Sequence, residues 1–388
     1  MRDNQKVHAL PRLFLLILLL FVVVGLFAPF LANEKPIFQI DSQNHINFFS
    51  ISRNDSAEFK LSAPIPYSPQ NIDVRNMGAI SPFGQQAASS LHQRHWLGTD
   101  LIGRDVLSAL IHGARTSLLI GVGAILISAF LGIMIGGLAG YFGDFSLKIS
   151  RFRFYFIFMI SAFLLFYFVQ IQKYNFYSSS FLMEFISLLL VQLLLFLIII
   201  WTCNHLLKKL ERRHSWKLRN LPVDQYLSRI IEIVSTLPVL FIIITLSAIF
   251  RPSIWNVVVI IGFTGWTGIA RFSRAEFLSL KEQNFVFSAK ALGLRSRRIL
   301  FAHILPNAYP TILTALSFAF AGVILAETTL SFLGVGLPPE QASWGSMLAM
   351  ARQQPSAWWL AVFPSLCIFL TIFSLHYLAR NLQARKND

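Results

Sequence analysis

Long apolar runs separated by short basic segments dominate the chain. Runs of about 20 apolar residues are the length needed to cross a hydrocarbon core of roughly 30 Å. The pattern predicts eight spanning helices, at 13–32, 117–140, 152–171, 182–207, 228–250, 254–272, 307–330 and 359–379. Segments isolated in lipid must satisfy their own backbone hydrogen bonds, which makes each of them helical. The expected fold class is an all-α polytopic membrane protein.

Between the runs the chain changes character. Residues 33–112 are polar and carry Pro64, Pro66, Pro69 and Pro82, too many for one helix. The patch Ile46 to Ile51 reads as strand, so this insertion is expected to form a small β-rich cap with loops. Residues 145–223 hold two apolar runs joined by a short loop, Gln172 to Ser180. They read as an inserted helical hairpin with basic ends. The division is 1–32 for the N-terminus and first helix, 33–112 for the insertion and an interfacial segment, 113–144 for the second helix, 145–223 for the hairpin, and 224–388 for the remaining core.

Composition agrees with the pattern: 55% of residues are apolar and 13% charged, with 37 Phe. The formal charge of +15 has a topological meaning rather than a nucleic-acid one. Lys148, Arg151 and Arg153, the Lys208–Arg219 cluster, and Arg295, Arg297 and Arg298 all fall on one side if the helices alternate. The opposite short loops hold Lys173, Arg251 and Arg352. That asymmetry puts both termini in the cytoplasm and residues 33–112 outside. No basic stretch carries a DNA- or RNA-binding motif, so no nucleic-acid partner is expected. Arg2, Lys6 and Arg12 precede the first run as in a signal peptide. The run is too long and Ala28-Pro29-Phe30 is a poor cleavage site, so it reads as an uncleaved helix.

Catalytic patterns are missing. There is no H-E-x-x-H, no G-x-S-x-G and no G-x-x-x-x-G-K-[ST] phosphate loop. Cys203 and Cys367 lie in apolar runs without metal spacing and read as buried thiols. Glu327, near the outer end of the seventh run, is an ionisable residue at membrane depth and reads as a solvated or paired gate residue. Glu232 is placed to pair with Arg229. Thr99 or Asp100 can cap an interfacial helix starting near Asp100, Gly103, Arg104 and Asp105. Gly132 and Gly136 form a G-x-x-x-G face for close helix packing.

The segment 285–306, FVFSAKALGLRSRRILFAHILP, sits between two spanning runs. Asn284 can cap a short helix there, and Gly293 can supply the left-handed turn that ends it. Ala289 and Gly293, four apart, permit close approach by another backbone. Arg297 and Arg298 then stand in the first turn of the next helix, where the dipole disfavours cations. An acidic partner groove or lipid phosphate would account for them, and so would the ordinary excess of positive charge in cytoplasmic loops.

This segment resembles the EAA loop of bacterial ABC-importer permeases, in which E-A-A, three residues, Gly, nine residues and I-x-L-P form the helix that docks into the ATPase subunit. Here nine residues separate Gly293 from His303-Ile304-Leu305-Pro306, while Phe287 and Ser288 stand where the family has Glu and Ala. HWLGTDLIGRDVLSALIHGARTSLLIG (His95 to Gly121) and AETTLSFLGVGLPPEQASWGSML (Ala326 to Leu348) resemble two further segments of the dipeptide/oligopeptide/nickel branch, in the family's order. The resemblance covers 13–32, 95–144 and about 224–380.

It implies a six-helix permease core, to which this chain adds a hairpin and an extracytoplasmic insertion. It implies no cofactor of its own, with ATP bound by partner subunits. The implied partners are a second permease subunit, ABC ATPase subunits, an extracytoplasmic solute-binding protein and the lipid bilayer of a bacterial inner membrane. Residues implied in ATPase docking are Phe285, Phe287, Ser288, Ala289, Gly293, Arg297, Arg298, Leu305 and Pro306. Those implied in an extracytoplasmic gate or interface are Asp100, Gly103, Arg104, Asp105, Glu327 and Trp344. Di- or oligopeptides are the implied solutes, moved by alternating access. A stand-alone secondary transporter and a non-catalytic membrane assembly factor remain as alternatives.

Overall fold

The structure, a computed structural model, describes residues 2–36, 38–40, 46–48, 59–88, 90–144, 147–150 and 218–387, with isolated positions 159, 191 and 198. The expected helices at 152–171 and 182–207 lie outside the described residues. The chain forms two compact units, Met1–Gly137 with Ile231–Asp388, and Leu138–Ile230.

The larger unit is a helical membrane body. Helix α1 (Arg2–Leu26) is followed by a single turn, α2 (Ala28–Leu31). Helix α3 (Val106–Phe142) has 37 residues, roughly 55 Å at 1.5 Å per residue, longer than a bilayer core. The expected separate interfacial helix before residue 117 does not form: α3 is continuous from Val106. The expected single helix 228–250 is broken into α4 (Val223–Thr236) and α5 (Val239–Ile249), bent by 72°. Pro238 explains the break, since it lacks an amide N–H and disfavours helical Leu237.

Helices α6 (Ile254–Thr264) and α7 (Trp266–Lys281) follow as one apolar span. Then come α8 (Asn284–Ala291), α9 (Ser296–Ile299), a π-helical turn Leu300–Ile304, and α10 (Leu305–Phe332). The π turn precedes Pro306, which has no N–H to return to Ala302, so the wider turn forfeits nothing there. Helices α11 (Trp344–Gln353) and α12 (Trp358–Asn387) complete the unit. Among the described residues four helical spans are long and apolar enough to cross a membrane, with the bent α4–α5 pair as a fifth.

Helix α10 packs against α7, α11 and α12, and α1 packs against α12 through Phe14 and Phe373, 5.1 Å apart edge-on. Close packing of α3 on α7 depends on the glycine face: a Cβ at Gly136 would run into the backbone of Ala270, and one at Gly132 into Ile269. The apolar centre comprises Ile120, Ile243, Val257, Ile261, Val323 and Leu330.

Among the described residues two small sheets accompany the helices. In the insertion, β1 (Phe38–Ile40) pairs antiparallel with both β2 (Ile46–Phe48) and β3 (Phe59–Leu61). In the smaller unit β4 (Leu147–Ser150) pairs antiparallel with β5 (Leu218–Leu221), Leu147 opposite Leu221. The two ends of the inserted segment are therefore tied together.

Candidate functional site

The segment after α7 turns on backbone geometry. Helix α8 ends in a Schellman arrangement: Leu294 N–H donates to Ala289 C=O at 3.2 Å and Gly293 N–H to Lys290 C=O at 3.0 Å. Gly293 sits at φ +72°, in the left-handed region that a Cβ disfavours. Asn284 does not cap the helix. Gln283 is the capping position, without a side-chain bond, and Asn284 instead accepts from Ser288 Oγ through its carbonyl. Val286 and Ala289 point inward. Ala289 therefore does not share an outer face with Gly293, because the helix turns it into the body. The outer face is Phe287, 54% exposed, Ser288 and Leu292, 80% exposed. The Lys290 ammonium lies 5.6 Å from the Phe287 ring centre. Arg295, Arg297, Arg298 and Pro306 are exposed, while Phe285 and Leu305 are half-buried.

At the other end of α10 a polar cluster is sealed inside apolar packing. Glu327 is 0% exposed, so the solvated reading is replaced by a buried one. Its Oε1 accepts from Ser331 Oγ at 2.8 Å, one helical turn on, and its Oε2 from Ser117 Oγ of α3 at 3.4 Å. Ser343 Oγ reaches Ser331 Oγ at 3.4 Å and also caps α11, accepting the N–H of Ser346 at 3.0 Å. Trp344 is buried completely. Its backbone N–H donates to Ser117 Oγ at 3.2 Å and its indole N–H to Leu110 C=O at 3.2 Å. Sequence reasoning missed Ser117, Ser331 and Ser343.

The stretch before α3 is built around His95, also missed. Its Nδ1 lies 2.9 Å from Asp105 Oδ1 and its Nε2 3.3 Å from Asp73 Oδ2. The Tyr67 ring stacks on it at 4.2 Å. Asp105 Oδ2 accepts the Ser108 N–H at 2.6 Å and so caps α3. Asp100, the expected cap, closes a turn instead, its Oδ1 accepting from Ile102 and Arg104 N–H at 3.0 and 2.8 Å. Gly103, at φ +88°, turns the chain between the two aspartates and prevents a helix from running through both. Asp100 and Asp105 are buried and Arg104 is partly exposed, and all three line a small cavity with Pro69, Glu340 and Met347. Burial pushes the Asp100 carboxyl above its usual range, against four lowering contacts from Arg104, Ile102 and Gly103.

Between these ends lies a cavity of about 500 Å³ lined by Ser128, Thr264, Gly268, Phe318, Gly322 and Ala326, among others. Among the described residues its lining carries no ionisable side chain. The two hydroxyls are used internally: Ser128 Oγ donates to Gly262 C=O at 2.7 Å and Thr264 Oγ1 to Ile260 C=O at 2.9 Å. The wall is neutral and largely apolar. Sequence reasoning did not anticipate it.

Residues 217–388 match the family described as binding-protein-dependent transport system inner membrane component. The chain is 28% identical to the dipeptide transport system permease protein DppC of Bacillus subtilis, over 74% of this chain and 67% of that one. It is 27% identical to the oligopeptide transport system permease protein OppC of Haemophilus influenzae, over 76% and 71%. The inner membrane ABC transporter permease protein YejE of Escherichia coli is 28% identical over 80% and 67%. Among solved structures, an inward-facing form of the MetNI methionine ABC transporter gives a TM-score of 0.43 at 11% identity, over 71% of this chain and 96% of that one.

Proposed function

We propose that this chain, a multi-pass membrane protein whose residues 217–388 match the inner-membrane component of binding-protein-dependent transport systems, is the permease subunit of an ATP-driven importer of di- or oligopeptides. The solute class rests on the relatives named as dipeptide and oligopeptide permeases. The chain does no bond chemistry. ATP is bound by separate ATPase subunits, solute arrives from an extracytoplasmic binding protein, and a second permease completes the path. Both termini face the cytoplasm of a bacterial cell.

One observation carries the mechanism. The exposed face of α8 lies immediately before a continuous helical rod, Ser296–Phe332, that crosses the membrane body. A partner gripping Phe287, Ser288, Leu292 and the neighbouring arginines would move that rod as a unit. Closure of paired ATPases on ATP binding would thereby reach the outer end of the permease and drive alternating access. The neutral cavity beside α10 and α7 forms this subunit's half of the path. It suits a peptide whose terminal charges cancel better than a strongly charged solute, because no lining charge offsets the cost of desolvation. The test is cross-linking. A cysteine at Leu292, with Cys203 and Cys367 replaced by Ser, should link to the ATPase subunit in membranes, and the link should be lost when Gly293 is replaced. A cysteine there that meets only lipid or solvent in the assembled complex contradicts the docking role.

A further inference from the structure

We propose that Glu327 and Ser117 are positioning residues of the transport cycle: they form a breakable clasp that holds the outer end of the rod carrying the docking segment at its inner end. This rests on the importer reading above. Three observations lead to it.

The first is position. Arg297 and Arg298 stand at the inner start of the rod and Glu327 near its outer end, about 45 Å away at 1.5 Å per residue. The helical path between them is continuous, with a π turn at Leu300–Ile304 and Pro306 and Pro310 near its inner end. What moves one end displaces the other.

The second is the pattern of bond lengths. Within α10 the Ser331–Glu327 bond is short, 2.8 Å. Every bond that crosses from one element to another is longer. Ser117 to Glu327 is 3.4 Å, Ser343 to Ser331 is 3.4 Å, and Trp344 N–H to Ser117 is 3.2 Å. The contacts that join the rod to α3 and α11 are thus single hydroxyl and amide contacts, longer than the bond made within the rod itself.

The third is chemistry. Glu327 is completely buried, and its hydrogen-bond partners are all hydroxyls. A carboxyl offers several acceptor sites, so it can exchange one hydroxyl for another as helices slide. An apolar residue of the same size would pack as well and would leave the hydroxyls of Ser117 and Ser331 buried without that acceptor. Ser117 is the link, because its one oxygen accepts from α11 and donates to α10. A shift of the rod therefore reaches Trp344 and the capped start of α11 through a single atom.

The experiment uses the full complex in nanodiscs and reads the ratio of ATP hydrolysis with and without the solute-binding protein. A purely structural role would lower assembly, or both rates together, and leave the ratio alone. Glu327→Leu and Ser117→Ala should each reduce the stimulation at least about fivefold, the lower range of ordinary coupling energies. Glu327→Gln, which keeps an acceptor, should retain most of it. If Glu327→Leu does not assemble, Ser117→Ala decides, since it removes one oxygen from a site that keeps its shape. An unchanged ratio in Ser117→Ala, with normal stimulation of the unsubstituted complex, overturns the clasp and leaves the importer reading standing. Absence of stimulation in the unsubstituted complex overturns both.

Discussion

His95 and Asp105 face each other at 2.9 Å in a site where the imidazole is 0% exposed. Asp73 lies 3.3 Å from the other ring nitrogen. With a carboxylate on each side, both ring nitrogens must donate, which only the protonated ring can do. Burial pulls its pKa down from 6.5, but the hydrogen bonds and charges of Asp105 and Asp73 outweigh that and hold it above the usual value.

The sign of the pH dependence follows from that direction. A raised histidine pKa gives stability that is fully present below 6.5 and is lost as pH rises through the folded value. Burial draws the Asp73 carboxyl up, but hydrogen bonds from Asn76, His95 and Arg75 N–H bring it below 3.8, so its contribution is lost only as pH falls through that lowered value. The thermal midpoint of the purified protein should therefore fall from about pH 6 to about pH 9. His95→Leu should lower the midpoint at the acid end and flatten the dependence. An equal slope in the variant would show that the titrating group is elsewhere.

Asp105 is predicted to be far more sensitive than Asp100 to loss of its carboxyl. Asp105→Ala removes the cap of α3 and leaves a buried imidazole short of a partner, a loss of about 3–5 kcal/mol with about 1 kcal/mol more from the cap. Asp100→Asn keeps an oxygen for the Ile102 and Arg104 amides and should cost less. Chemical denaturation of the two variants side by side measures this, and equal losses would refute the assignment of the cap.

The α3–α7 crossing gives a contrast between two glycines. A Cβ at Gly136 has no room against Ala270, whereas one at Gly268 meets nothing within 4 Å. Gly136→Ala should destabilise by about 1–3 kcal/mol through overpacking. Gly268→Ala should be neutral or slightly favourable, because alanine is the better helix former. Matching thermal shifts would mean that the two helices do not cross at Gly136.

Gly293→Trp should leave the protein inserted while ATPase subunits cease to co-purify. The substitution strains the left-handed turn and obstructs the exposed end of α8. Full retention of the ATPase would remove this segment from the docking surface.

The apolar runs at 254–272, 307–330 and 359–379 lie within observed helices, because length and hydropathy are local properties. The turn at Gly293 was legible for the same reason, since a glycine after a helical stretch signals its own backbone conformation. The helix break at Leu237 was also written in the chain, in Pro238, but an unbroken apolar run masked it. Asp105 as the cap was not legible, because Thr99 and Asp100 offer the same chemistry a few residues earlier and the turn at Gly103 decides against them. The hydroxyl cluster was hidden most deeply. Ser117 and Glu327 are separated by 210 positions, and serines within apolar runs look alike until the fold brings two of them to one carboxyl.

The most direct test of the importer reading is solute uptake into proteoliposomes holding this chain and its partner permease, with and without the ATPase subunits, using a radiolabelled dipeptide delivered by the solute-binding protein. Uptake should require the ATPases and ATP, and should persist when the proton gradient is collapsed at constant ATP. Uptake by the permeases alone, driven by a pH step, would contradict the account and identify a secondary transporter.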